Sequence, residues 1–582
     1  MSASVHLRKS PGVASAYWGI MGDVDSVPAG FEYQTIIYYS QHGINKAFEG
    51  WGQTLRKWYG KPDLRAQDST LNYIGYWMDY GSFYYDNPLD NSTYEQTILE
   101  VQKNLKQQKT SVNYFQLDDW WYVKEENQTT VITWDADVNA IPSGMRKFQD
   151  ALRNKLAAQC GVWSANTTYA KINGGNFTFL VEGDTALPKQ SEFWNYLFST
   201  AQQWGLSLFQ QDWMRKQSEL MSVFKTDLHV ARQWLVDMGA ARKYNIAIQY
   251  SGALPRHALQ SVEVPSVTQV RVSADYMKDA DQWKIGVTSI LADALGLAPF
   301  KDTFWSNETE SGNPQYSREP APIRQQIVAT LSTGPVAIGD KLSSLKHTMN
   351  CCNANGLILK PSRPATAIDA QLIQAAFQDG SGPEGEVWTT YSQIGPFKFG
   401  LIFAANLTGN YSLGQTAAFG RHYPVSRLFY MEQPAFQFEF SDRKPVTLCC
   451  TDDWPYYLLF YTTPVIRFKN VEVLLLGEHF KWVPMSPRRV SDISVLSDSI
   501  KVALAGKPGE QLTFIYSVNS DTRYQRVTIG TGGTTVLVLN TTAPATTTAS
   551  PVTRLTTESD AKRVTASFAL IMLIILTVTN QV

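Results

Sequence analysis

Residues 111–121 read SVNYFQLDDWW, a short run of β-forming residues that ends abruptly in two carboxylates. The same shape recurs on either side of it. NYIGYWMDYG (72–81) closes on Asp79, GLSLFQQDWM (205–214) on Asp212, VTQVRVSADYM (267–277) near Asp275, and GPVAIGD (334–340) on Asp340. CGVWSAN (160–166) and NIAIQYSG (245–252) read as two further strands. Residues 92–108, SEFWNYLFSTAQQW (191–204), HVARQWLVDMGAARK (229–243) and PIRQQIVATLS (322–332) have helical spacing and fall between the strands. This alternation predicts an α/β fold, a (β/α)8 TIM-type barrel over residues 66–365. The strand C-termini of such a barrel share one face, and active sites are built there. One Asp after a strand is an ordinary turn residue, but carboxylates in phase on strand after strand predict an acidic array on that face.

Beyond the barrel the pattern changes. KFGLIFAANLTG (398–409), VEVLLLG (471–477), LTFIYSV (512–518) and TTVLVLN (534–540) are short, alternating and separated by turn residues. They predict a C-terminal antiparallel β-sandwich over 366–540. Residues 1–65 read as the remnant of an N-terminal β domain: GFEYQTIIYYS (30–40) is strand-like and AFEGWGQTLRKWYG (47–60) is an amphipathic linker helix. Residues 541–563 are rich in Thr, Ala, Pro and Ser and read as a stalk. Residues 564–582 are an apolar tail that fits either a GPI signal or a membrane anchor. The first twenty residues have no apolar stretch of the signal-peptide kind, so the start reads as incomplete.

The 51 basic and 52 acidic side chains nearly cancel, which leaves no field to attract nucleic acid. The five cysteines are Cys160 and two adjacent pairs, Cys351-Cys352 and Cys449-Cys450. Neither CxxC nor HExxH spacing occurs, so no metal site or cofactor is expected. A bridge between the two pairs and simple buried thiols both fit the spacing. Asn-x-Ser/Thr sequons occur at Asn91, Asn127, Asn166, Asn176, Asn307, Asn406, Asn410 and Asn540. Together with the tail they predict passage through the secretory pathway to a membrane-anchored place at the cell surface.

A carboxylate array without phosphate loop, metal cluster or Ser/His/Asp arrangement suits glycoside hydrolysis. That chemistry needs one ionised carboxylate at the anomeric carbon and one protonated carboxyl at the leaving oxygen. The high aromatic content, 17 Trp and 28 Tyr, suits sugar faces as well as ordinary cores.

Three segments carry a family resemblance. LDDWW (117–121), LFQQDWM (208–214) and RVSADY (271–276), in this order and spacing, resemble glycoside hydrolase clan D, which groups α-galactosidases, family 36 enzymes and the raffinose synthases. The resemblance covers about residues 50–365. It implies a retaining α-glycosidase, hydrolysing or transferring terminal α-linked sugars of an oligosaccharide or glycoconjugate, with Asp212 as nucleophile and Asp275 as general acid/base. It implies sugar contacts from Asp118 and Asp119, Arg271 near the sugar hydroxyls or the nucleophile, a pocket lined by Trp77 and Asp79, and a stacking wall from Trp120 and Trp121. It departs at Gln210, where the clan's segment carries Lys. A neutral amide donates and accepts, whereas an ammonium only donates. Gln210 therefore keeps open a second reading, a catalytically silent cell-surface glycan-binding protein. A third reading is an adhesion module built on the β domain and stalk.

Overall fold

The computed structural model describes residues 3–10, 13–126, 130–277, 281–309, 312–313, 318–342, 348–449 and 457–542. Eight parallel strands form one sheet in chain order: β1 Gly75–Trp77, β2 Tyr114–Leu117, β3 Lys155–Cys160, β4 Leu206–Gln211, β5 Ala247–Tyr250, β6 Val267–Arg271, β7 Ala298–Phe300 and β8 Ala337–Ile338. β8 pairs with β1, and a parallel bridge from Phe304, just past β7, to Ile338 closes the ring. Each of the seven crossovers carries a helix, as right-handed parallel connections require. The longest are Tyr94–Gln107, Ser191–Gln203 and Pro322–Leu331.

Two strands differ from the sequence expectation. The third barrel strand is KLAAQC, not CGVWSAN; Trp163–Ser164 instead belongs to a separate five-stranded sheet spanning residues 122–188. The reason is volume: Ala157 packs inside the barrel beside Tyr114, so a small residue is needed where an apolar run would be sought. β7 was not expected at all; it is three residues long and contains Pro299.

The barrel interior is layered. Side chains alternate along a strand, so residues two apart point the same way. Trp77, Tyr114, Ala157, Leu208, Phe300 and Ala337 pack together as the apolar floor, with Ala247 against them. Two residues on, the same strands present Asp79, Gln116, Gln159, Gln210, Gln249 and Asp302, all buried. Two further on come Asp118, Asp212 and Ser251. Apolar floor, amide belt and carboxylate rim thus succeed one another toward the strand C-termini.

The C-terminal part is antiparallel throughout. A six-stranded sheet, including Glu386–Ile394, Phe397–Ala405 and Leu458–Pro464, precedes a four-stranded and a three-stranded sheet. The last two enclose Val473, Leu475, Val502, Phe514 and Leu537 in one apolar core. A second core joins this part to the barrel, where Ile327, Val328 and Leu331 of the last barrel helix meet Trp388, Phe403 and Leu476. Burying such side chains contributes about 1.5–3 kcal/mol each, so barrel and sandwich are welded rather than tethered.

At the N-terminus, Ala3–Ser10 and Val13–Ile20 form a hairpin. Residues 30–40, expected as a strand, form no regular element and are largely exposed, with no ladder partner among the described residues. The expected helix is present as Ile44–Trp58. Its first amides donate to the Asp369 carboxylate (2.9 Å each), and Gly52 lies against the Ala294 carbonyl, where any Cβ would collide. Cys351 is bonded to its neighbour Cys352, and Cys160 is buried. Asn127, Cys450 and the stalk and tail from residue 543 onward lie outside the described residues. Among the described residues no helix is long and apolar enough to cross a membrane.

Candidate active site

The strand C-termini gather Asp79, Asp212, Asp275 and Asp302 around one guanidinium, Arg271 at the end of β6, with Asp118 near Asp79 and Asp212 and Asp119 beside Asp118. Arg271 is buried, pairs with Asp302 through Nη1 (3.1 Å) and reaches Asp275 through Nη2. Burial alone would lower its pKa, but Asp302, Asp275, Asp212 and Asp79 more than offset that and hold it protonated.

Asp212 closes β4. Its Oδ1 accepts the Trp213 amide at 2.6 Å. Gly252, at φ +53, passes close by, and a Cβ there would stand 3.1 Å from the same oxygen. Trp213 itself is left-handed (φ 52). A bulky residue in that region costs on the order of 1–3 kcal/mol and marks a turn held by its surroundings. Burial raises the Asp212 pKa and the Asp275 charge adds to this, while Arg271, the Trp213 amide and the Ser251 hydroxyl pull it down. Burial outweighs them, and the Asp212 carboxyl is held above its ordinary value.

Asp79 lies two residues past β1. Its Oδ2 accepts Gln116 Nε2 at 2.7 Å, and the same nitrogen donates to Gln210 Oε1 at 2.7 Å. Asp79 Oδ1 is buried without a hydrogen-bond partner. Burial, reinforced by Asp302, raises the Asp79 pKa well above the carboxylate range. Asp118 follows the same pattern: burial first, then Asp79, Asp119, Asp212 and Asp302 raise it. Its carboxylate accepts the amides of Tyr80 (3.1 Å) and Asp119 (2.8 Å). Asp119 accepts Tyr85 Oη at 3.2 Å and pairs with Lys124 at 3.4 Å. Like charges crowded into a buried site disfavour one another's ionised form, which is the direction of the shift at Asp79 and Asp118.

Asp275 stands apart in exposure. Its side chain is 53% accessible on the loop after β6, whereas Asp302 is fully enclosed. Asp302 was not singled out from sequence, because β7 was not recognised; the signal that could have found it is the LAPFKDTFW stretch, which again ends a short apolar run in a carboxylate. Burial raises its pKa to about 6 against the pull of Arg271. Asp340 is a cap: its Oδ1 accepts Ser306 N, Ser306 Oγ and Asn307 Nδ2 at 2.7–3.0 Å.

The tryptophans lie deeper than the resemblance implied. Trp77 is in the apolar floor, with its indole N–H donating to Tyr114 Oη at 3.0 Å. Trp120 donates to the Met78 carbonyl and has one face covered by Tyr94, ring centroids 4.1 Å apart. Trp121 is enclosed by Trp134 and Trp204. Tyr85 places its hydroxyl on Asp119, and Trp213 follows Asp212 in the chain and donates its amide to it. Among the described residues no group of three or more His, Cys, Asp or Glu is arranged to hold a metal ion.

No family model and no curated protein matches the chain. Among solved structures it is similar to the α-galactosidase of Lactobacillus brevis, at 13% identity and a TM-score of 0.45, over 72% of this chain and 59% of that one. It thus spans less than two thirds of that enzyme's length. It is also similar to the α-galactosidase of Saccharomyces cerevisiae, at 11% identity and 0.42, over 68% and 98%. A third is the isomalto-dextranase of Arthrobacter globiformis, at 10% and 0.45, over 83% and 86%.

Proposed function

We propose that the protein is a retaining α-glycosidase of the α-galactosidase-like kind, acting on terminal α-linked sugars of an oligosaccharide or glycoconjugate. The observation that carries this reading is the sharing of Arg271: one buried guanidinium pairs with the exposed Asp275 and lies in the field of the enclosed Asp212. Ionised Asp212 attacks the anomeric carbon as the Asp275 carboxyl gives its proton to the departing glycosidic oxygen. The C–O bond breaks with its electron pair on that oxygen, and a glycosyl ester forms on Asp212. Asp275, now a carboxylate, takes a proton from water or an acceptor hydroxyl, whose oxygen displaces Asp212 and restores it. Asp79, Asp118, Asp119 and Gln210 hold the sugar hydroxyls.

Five of the sequon asparagines, Asn91, Asn166, Asn176, Asn410 and Asn540, are exposed, which supports the secretory route and a place at the cell surface. The experiment is a panel of chromogenic α-glycosides followed by trapping with a fluorinated α-glycosyl donor and mass spectrometry of the labelled peptide. Label on the 206–214 segment is expected; label elsewhere overturns the nucleophile. Gln210 favours the second reading, a silent glycan-binding protein. Sugar binding with no turnover across the panel would select it.

A further inference from the structure

Asp275 sits on an exposed loop, yet an acid/base must meet the leaving oxygen within hydrogen-bond distance. Displacements of about 1 Å cost on the order of 10²-fold in rate. Something must hold the loop, and its contacts converge on one buried group. Asp302 Oδ2 accepts both Arg271 Nη1 (3.1 Å) and the Tyr276 amide (2.9 Å). Its Oδ1 accepts the Thr303 amide at 2.8 Å, and its own amide donates to Ser273 Oγ at 3.3 Å. Arg271 in turn grips Asp275. Residues on both sides of Asp275, and Asp275 itself through Arg271, are therefore tied to Asp302.

Tyr276 completes the anchorage. Its hydroxyl donates to the buried Glu319 at 2.5 Å and accepts the Trp305 amide at 3.2 Å. Its carbonyl presses on Gly81 (φ +84), where a Cβ would stand 2.2 Å from that oxygen. The loop is thus clamped between the end of β7 and the turn after β1.

We propose that Asp302 is a positioning residue, which fixes the Asp275 loop through Arg271 and the Tyr276 amide without touching substrate. Its side chain is fully enclosed and both oxygens are occupied, so it acts only through those partners. The inference rests on the reading of Asp275 as acid/base, but its structural half can be tested separately.

The test is Asp302→Asn, which keeps the shape but removes the charge and one acceptor oxygen. Two readouts apply. The first compares kcat/KM for an alkyl α-glycoside, whose leaving group needs a proton, with that for a dinitrophenyl α-glycoside, which does not. The alkyl substrate is expected to lose roughly 10²-fold and the dinitrophenyl substrate little. The second is amide hydrogen exchange of the 272–277 peptide, which is expected to accelerate while exchange of the barrel strands stays close to wild type. Equal losses on both substrates, or unchanged exchange, overturn the proposal. If the wild-type protein turns over no glycoside, the glycosidase reading falls, and the exchange arm still decides whether Asp302 holds the loop. Should Asp302→Asn not fold, Asp302→Glu carries the same readouts, since it keeps the charge but moves it by one methylene.

Discussion

Gln116 orients Gln210. With both hydrogens of its Nε2 spent, on Asp79 Oδ2 and Gln210 Oε1, the Gln210 oxygen faces Gln116 and its NH2 is the end left to donate. A neutral amide so oriented offers a sugar hydroxyl a donor, the role an ammonium would otherwise fill, without adding charge to the array.

Replacing Gln116 by Leu removes both bonds and lets the Gln210 amide turn over. Each bond contributes about 1 kcal/mol, so KM for a responsive α-glycoside should rise roughly tenfold while kcat changes less. Steady-state kinetics on the variant check this. A fall in kcat at unchanged KM would show that Gln116 does not act through substrate binding.

Asp212→Asn should separate activity from stability. Turnover is expected to fall by at least about 10³-fold. The buried carboxylate is held above its ordinary pKa mainly by burial, so its ionised form costs stability at neutral pH, and the amide does not pay that cost. The melting temperature at pH 8 should therefore be equal to or above wild type. Full residual turnover would remove Asp212 from the chemistry.

The carboxylate rim was readable because each Asp follows a run with strand character, and β1, β2, β4, β6 and β8 carry that signal in the expected phase. β7 was not readable: three residues cannot display an alternation, and Pro299 argues against a strand. With it went Asp302. The amide belt was also hidden. Gln116, Gln159, Gln210 and Gln249 lie far apart in sequence; the barrel register pairs Gln210 with Gln159 and Gln249, and a hydrogen bond joins Gln116 to Gln210. The tryptophans are ambiguous for the opposite reason. An aromatic side chain signals sugar contact and core packing with the same letter, and Trp77, Trp120 and Trp121 are buried.

The enclosed Asp302 makes a prediction about pH. Its folded-state pKa, about 6, lies above the unfolded value of 3.8. The stability it contributes is fully present below the unfolded value and is lost as pH rises through the folded one. From pH 4 to 7 the loss is about 2 kcal/mol. His257 works in the opposite direction: burial lowers its pKa to about 3, so its contribution grows as pH rises. The observable is therefore the difference between proteins. The stability of Asp302→Asn relative to wild type should climb by about 2 kcal/mol between pH 4 and 7, measured by urea unfolding at fixed temperature. A difference independent of pH would mean that Asp302 is ionised throughout that range.

Trp121 tests whether the aromatic wealth of the barrel serves substrate or fold. Its ring lies 5.2 Å from Trp134 and 5.9 Å from Trp204, and its indole N–H donates to the Gln159 carbonyl at 3.3 Å. Truncating so enclosed a ring costs about 3–5 kcal/mol, the transfer free energy of the lost surface plus the cavity left behind. Trp121→Ala should lower the unfolding free energy by that amount, while the protein that remains folded keeps the wild-type KM. Trp213→Ala is the contrast. That ring is only partly buried and adjoins Asp212 in a left-handed turn, so its loss should cost less stability and more activity. Melting curves and Michaelis constants on the two variants decide the matter. A raised KM in Trp121→Ala at unchanged stability would return the stacking role to Trp121.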